Sequence, residues 1–333
     1  MTSNSAKIAI KASGFLSKRR GLFLFKLLLS FAILSYLVSH LDAEELLAAL
    51  RDVRLSALVM ACGLLPLNIG LQFFKWHYLL RRAVRPMIAP RFSFYSLLAG
   101  FPLGLLTPGR WGELGRAFFL PQLNERKVMV LAAFDKIFDL LLSLLLGAIA
   151  LLYLTAKKML PAELFMPCVA LLALVVMLNA LALQPSALKS FLFLIKRKTR
   201  AKPSSLRVLT LFSRKERATI WLISFGFALT YSLQFVLLLR GFVEVPFFQG
   251  MLGVSAAFFA KSLLPIALGD LGVREGAAAF FFARMAISPQ AAFNASLLLF
   301  LINLLLPSLL GMALIWKYRA SPSFHSRRKT LAP

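Results

Sequence analysis

Residues 96–120 read SLLAGFPLGLLTPGRWGELGRAFFL. These letters cannot be written as one ordinary membrane helix. Gly100, Pro102, Gly104, Pro108, Gly109, Gly112 and Gly115 interrupt an apolar run, and Arg110, Glu113 and Arg116 stand where a spanning helix would carry leucine. Proline removes a backbone donor, and glycine permits turn dihedrals closed to other residues. A weaker version lies at 258–282, FFAKSLLPIALGDLGVREGAAAFFF. There Pro265, Gly269 and Gly272 break the run, and Asp270, Arg274 and Glu275 supply the charges. Broken apolar segments in corresponding positions of two halves point to a transporter's binding site.

The surrounding composition sets the class. Of 333 residues, 59% are hydrophobic and 16% charged, with mean hydropathy +0.78. A soluble domain cannot hide that much apolar surface, so the chain reads as a polytopic helical membrane protein. The formal charge of +26 comes from 39 Lys+Arg against 13 Asp+Glu. The basic residues cluster between apolar runs, as the positive-inside rule requires, so anionic lipid headgroups are the expected counter-charge and nucleic acid is not. Cys62 and Cys168 both lie inside apolar runs and read as buried free thiols rather than a disulfide framework.

Working outward from the broken stretch, the flanks read as spans. Residues 22–39 form a first retained span behind a basic cytoplasmic N-terminus, 1–21, with no small-residue cleavage site after it. An outside loop with Asp42, Glu44 and Glu45 leads to a second span, 55–79, where Asn68, Gln72 and Lys75 share one helical face. Such a stripe must meet protein or water, not lipid. Basic residues flank 92–120 on both sides, so this element is expected to enter and leave by the cytoplasmic face. Spans follow at 128–155, with Asp135 and Asp139 one turn apart beside Lys136, and at 164–183. The basic segment 187–217 reads as a cytoplasmic loop lying on headgroups. Residues 219–240, with Thr230 and Gln234 on one face, and 290–316 complete the set, and the basic tail 317–333 lies in the cytoplasm. The expectation is an all-α polytopic membrane protein with about six full transmembrane helices and two broken hairpins, re-entrant or, in the alternative reading, each crossing fully as two short helices. They form a single domain, 22–316, whose halves, about 22–155 and 164–316, repeat in inverted orientation.

The hairpin tips carry the candidate site. A helix starting near Arg110 points its free N–H groups at the turn, where an anion such as lipid phosphate binds. Arg110 and Arg116 add charge-assisted hydrogen bonds, and Glu113, three residues from each, can pair with either. At the second tip, Arg274 and Glu275 are adjacent, diverge by about 100° on a helix, and are expected to need separate partners. Asp270 can pair with Arg110, across the two halves, or with Lys261. The candidate binding residues are Arg110, Glu113, Arg116, Asp270, Arg274 and Glu275. Pro108, Gly109, Gly112, Pro265, Gly269 and Gly272 shape the turns, and Asn68, Gln72, Lys75, Asp135, Asp139, Gln234 and Lys261 support them.

PGRWGELGRAFFL at 108–120, FDKIFDLL at 134–141 and LPIALGDLGVREGA at 264–277 resemble the flippase-like membrane domain of lysylphosphatidylglycerol synthases, which is also the membrane domain of the multiple peptide resistance factor. The resemblance covers roughly 20–317. Many relatives carry a turn richer in glycine or proline than Ala267-Leu268-Gly269-Asp270. It implies a multi-pass protein of a bacterial or archaeal plasma membrane that handles a phospholipid, polyprenyl or hopanoid-type lipid. The soluble aminoacyl-transferring domain has no counterpart in these residues, so lysyl-lipid synthesis is not implied. His40, His77 and His325 are scattered without metal spacing, and no nucleophile elbow or P-loop appears, so neither metal, cofactor nor catalysis is expected. Two rival readings remain: a membrane glycosyl- or lipid-group transferase using the outside acids, and a non-catalytic partner of a lipid-modifying enzyme.

Overall fold

The computed structural model describes residues 53–83, 88–120, 123–186, 206–265, 267 and 269–319. The first apolar run, 22–39, the loop acids Asp42, Glu44 and Glu45, residues 187–205 of the basic segment and the tail beyond 319 lie outside these. Among the described residues the regular structure is helical and no strand occurs.

Five stretches are long and apolar enough to cross a membrane: Leu55–Ala83, Glu125–Ala156, Ala162–Leu183, Arg214–Phe242 and Pro289–Trp316. They correspond to five of the six expected spans, and the sixth is 22–39. The first comprises α1 (Leu55–Gly63) and α2 (Leu65–Ala83). The broken stretch follows as α3 (Pro90–Leu105) and a 3-10 helix (Trp111–Phe119). Then come α4 (Glu125–Ala156), α5 (Phe165–Leu183), α6 (Arg214–Phe242), α7 (Phe247–Leu263), α8 (Val273–Arg284), α9 (Pro289–Phe300) and α10 (Leu306–Arg319).

Local chemistry sets the boundaries. Asn124 caps α4 by accepting from the Lys127 N–H, and Ser213 with Glu216 forms a reciprocal capping box at the start of α6. That cap starts the helix inside the expected basic loop. Arg217 is therefore buried rather than spread on headgroups: its guanidinium donates to the carbonyls of Phe212, Ala182 and Leu209. A π-turn, Leu301–Leu305, joins α9 to α10. Pro307 follows it, with no N–H to offer the carbonyl of Asn303 four residues back. Cys62 and Cys168 are both free, but Cys62 is exposed on its helix rather than buried as expected.

Both broken stretches fold back on themselves. In the first, a Cβ on Gly100 would touch Arg116, and one on Gly104 would touch Glu113. A Cβ on Gly112 or Gly115 would run into Leu103. At Gly104, Gly112 and Gly115 these antiparallel pairings show why the arms are glycine-rich: the two arms pass too close for a Cβ, whereas Gly100 meets only ordinary contacts. α3 is about 24 Å long and the 3-10 arm about 18 Å, so neither arm alone spans the ~30 Å hydrocarbon core. In the second hairpin α7 packs against α8, with Gly253 against the ring of Phe282.

The interior is layered. One apolar core gathers Leu154, Phe235, Leu239, Phe282 and Leu299; the other gathers Trp76, Leu79, Phe138, Phe212 and Ile220. Along α2, α4 and α6 the polar side chains fall between the two. They sit near the midpoints of their spans, about residues 69, 140 and 228. Among spans of this length, such a belt lies deep in the bilayer.

Candidate site at the meeting of two hairpin tips

The two tips bond to each other. The N–H of Gly109 donates to the carbonyl of Ala267 (3.3 Å), and the N–H of Gly269 donates to the carbonyl of Thr107 (3.4 Å). The contact is reciprocal, each glycine reaching the residue two before the other. The local backbones also match. Gly109 and Arg110 have φ of 57° and 58°, and Gly269 and Asp270 have 57° and 63°. Two consecutive left-handed residues make each tip a sharp reversal, and the non-glycine member is strained by about 1–2 kcal/mol. A Cβ on Gly109 would collide with Pro265.

The helix N-terminus at the first tip is not free. The segment is a 3-10 helix, and its first N–H groups are used within the turn. Arg110 donates to Thr107 O, Trp111 to Pro108 O, Glu113 to Arg110 O, and Gly112 to Thr107 Oγ1 (2.6 Å). The expected backbone anion site is absent there because Thr107 and the tight turn fill it. Side chains carry the charge instead.

At three residues per turn, Arg110 and Glu113 eclipse, and they form an ion pair. The other oxygen of Glu113 is held by Lys136, not by Arg116. Arg116, 2% exposed, turns to Asp135 (2.7 Å) and stacks 3.7 Å from the Trp76 ring centroid. Asp135 and Asp139, one turn apart on α4, both grip Lys75, at 3.0 and 2.5 Å. Ser224 Oγ accepts from Lys75 at 3.0 Å. Above this, Gln72 donates to Asn68, Asn68 to Gln234, and Gln234 to the carbonyl of Ala61. The expected stripe on α2 thus faces protein throughout.

At the second tip Asp270 accepts from Lys261 (2.7 Å), one of its two expected partners; the other, Arg110, stays within electrostatic reach. Arg274 and Glu275 do not diverge. Glu275 reaches back to the Gly272 N–H (2.7 Å), which brings it beside the curled Arg274 side chain, and the two pair. Arg274 Nε also donates to Ser296 (2.9 Å), and the guanidinium lies 5.5 Å from the Phe300 ring centroid. Tyr231 Oη accepts from Arg274 (3.4 Å) and is within electrostatic reach of Arg110 too.

The charges divide into two groups. Lys75 and Arg116 balance Asp135 and Asp139. At the tips, Arg110, Lys136, Lys261 and Arg274 pair with Glu113, Asp270 and Glu275, leaving one cation in excess, and Lys136 also lies within electrostatic reach of Asp135. Donors are also left over. Arg110 Nε has no partner among the described residues, and each lysine ammonium has three N–H groups. Lys136 and Lys261 are 33% and 22% exposed, whereas Arg274 is 3% exposed. Beside them, Leu106, Trp111, Leu263 and Leu264 are all more than half exposed. The site therefore combines spare cationic donors with an apolar surround, which suits an anionic headgroup whose tails stay in lipid. No three His, Cys, Asp or Glu residues gather for a metal ion among the described residues.

Thr107, expected only as part of the turn, Lys136, expected only beside the aspartates, and Tyr231 and Ser296, not expected at all, join the site. Their polar side chains inside apolar runs were the available signal.

Residues 23–311 match the family described as the lysylphosphatidylglycerol synthase TM region. No curated protein matches the chain.

Proposed function

The chain belongs to the lysylphosphatidylglycerol synthase TM-region family, and from that premise we propose that it is a lipid translocase binding an anionic headgroup between its two hairpin tips. The observation that carries this reading is the reciprocal tip contact: it sets four cations against three carboxylates at mid-span depth. Charges there are expensive, roughly 2.5–3.5 kcal/mol each even on permissive scales, and are retained where they serve a path. Lys136, Lys261 and Arg110 receive the headgroup first, because they hold the spare donors. Arg274, deeper, completes the positive wall.

Both hairpins are re-entrant on this reading, the first from the cytoplasm and the second from outside. Each half then runs span, span, hairpin, span, giving an inverted repeat of about six spans with both termini in the cytoplasm. The tip contact acts as the closed gate of an alternating-access cycle. The protein moves lipid rather than making or breaking a bond, in a bacterial or archaeal plasma membrane. The matching glycine turns support the two-fold relation.

Reconstitution into vesicles with a fluorescent anionic phospholipid tests this, with sidedness read by a membrane-impermeant quencher. Wild-type protein is expected to equilibrate the leaflets. Arg110→Lys and Arg274→Lys keep the charge but lose the planar fork, and are expected to slow exchange at least tenfold with folded protein unchanged. Exchange no faster than in empty vesicles would sink the proposal. Equal loss of folded protein and activity would make the arginines structural.

A further inference from the structure

One buried polar group has no part in the networks above. Asn303 lies in the π-turn Leu301–Leu305, at the middle of the span Pro289–Trp316. It is 5% exposed, and neither its amide nitrogen nor its amide oxygen has a hydrogen-bond partner among the described residues. A buried amide with two donors and an acceptor all empty is strongly unfavourable. Other amides of the interior are used: Asn68, Gln72 and Gln234 hold one another. Asn179 donates to the carbonyls of Leu141 and Val175 and accepts from Trp221 Nε1.

The neighbours of Asn303 fix its place. Phe300, three residues earlier, lies beside the Arg274 guanidinium. Leu304, the next residue, packs on Gly269 of the second tip. Ser296, seven residues earlier, bonds Arg274 directly. Asn303 is therefore at the depth of the tips, in the helix that backs Arg274. It lies within the π-turn itself, and such turns are frequent at functional sites.

We infer that Asn303 determines headgroup specificity, its amide hydrogen-bonding an uncharged hydroxyl on the lipid whose phosphate is held at the tips. The inference rests on the headgroup site proposed above. A hydroxyl both donates and accepts, so it can satisfy both ends of the amide. An ammonium only donates, and it would add positive charge beside a cluster already one cation in excess. A bare phosphate oxygen only accepts, leaving the amide oxygen empty. Of these three headgroup chemistries, the polyol phosphodiester answers both the charge and the amide.

Phosphatidylglycerol and phosphatidylmethanol separate the terms, because both carry one phosphate charge and only the first has headgroup hydroxyls. Native mass spectrometry of the full chain with an equimolar mixture reads the preference. Wild-type protein is expected to retain phosphatidylglycerol about tenfold over phosphatidylmethanol, the effect of one such hydrogen bond. Asn303→Leu is expected to bind the two equally, to keep wild-type binding of phosphatidylmethanol, and to melt no lower than wild type. Equal binding by wild type, or an unchanged preference in Asn303→Leu, overturns the inference alone. Failure of wild type to bind either lipid overturns it together with the headgroup site. Asn303→Ala, judged by the same outcomes, covers the case in which leucine does not fit.

Discussion

Asp135 joins more of the buried network than any single spacing suggests. It holds Lys75 and Arg116 at once, and both are almost fully buried. Asp139 holds Lys75 alone and is itself 19% exposed. Removing one partner of a buried pair costs about 3–5 kcal/mol, because the other charge is stranded. Asp135→Asn is therefore expected to lower the melting temperature of detergent-purified protein sharply, and Asp139→Asn much less, since Lys75 keeps Asp135. Equal shifts would mean that Arg116 does not depend on Asp135. The shared face of Asp135 and Asp139 was legible from their four-residue spacing. The partner of Arg116 was not: Glu113, three residues away, was the local candidate, and the real acceptor lies on another helix. Arg274 and Glu275 show the opposite limit. Ideal helix angles separate adjacent residues, but Glu275 bends back to cap Gly272 and meets Arg274 there.

At the scale of elements, glycines in the first hairpin serve close approach as much as turning. A Cβ on Gly112 would strike the Leu103 carbonyl and crowd Thr107 Oγ1 at 2.6 Å. Backbone cannot yield as a side-chain end can, so Gly112→Ala is expected to destabilise by at least the ~1–3 kcal/mol typical of overpacking. Gly70, within α2, has nothing within 4 Å of a built Cβ. Gly70→Ala is expected to be neutral or to stabilise by about 0.5–1 kcal/mol. Thermal melts of the two variants check the contrast, and a harmless Gly112→Ala would contradict the packed hairpin. The break itself was plain in the sequence, since proline, glycine and charge interrupt an apolar run. Its 3-10 form was not, because Thr107, five residues before Gly112 in the chain, supplies the acceptor that fills the expected anion site.

For the whole molecule, the spans were legible because apolar length and basic flanks are one-dimensional signals. The meeting of two tips 160 residues apart was only suggested by their similar breaks, and its hydrogen bonds needed the fold. Orientation remains a separate prediction. In a background free of Cys62 and Cys168, single cysteines at Arg82 and Leu206 are expected to react only from the cytoplasm, and one at Lys157 only from outside. Labelling of Leu206 from outside would break the inverted arrangement. The central claim is that Arg110 and Arg274 serve one headgroup, and a double-mutant cycle tests it most directly. Translocation of a fluorescent anionic phospholipid, normalised to folded protein, is measured for Arg110→Ala, Arg274→Ala and the pair. Each single change is expected to reduce the rate about ten- to a hundredfold, the loss of one charge-assisted contact. The double variant is expected to be no slower than the slower single, since a site already lost cannot be lost twice. Losses that multiply would show two independent roles and contradict the shared site.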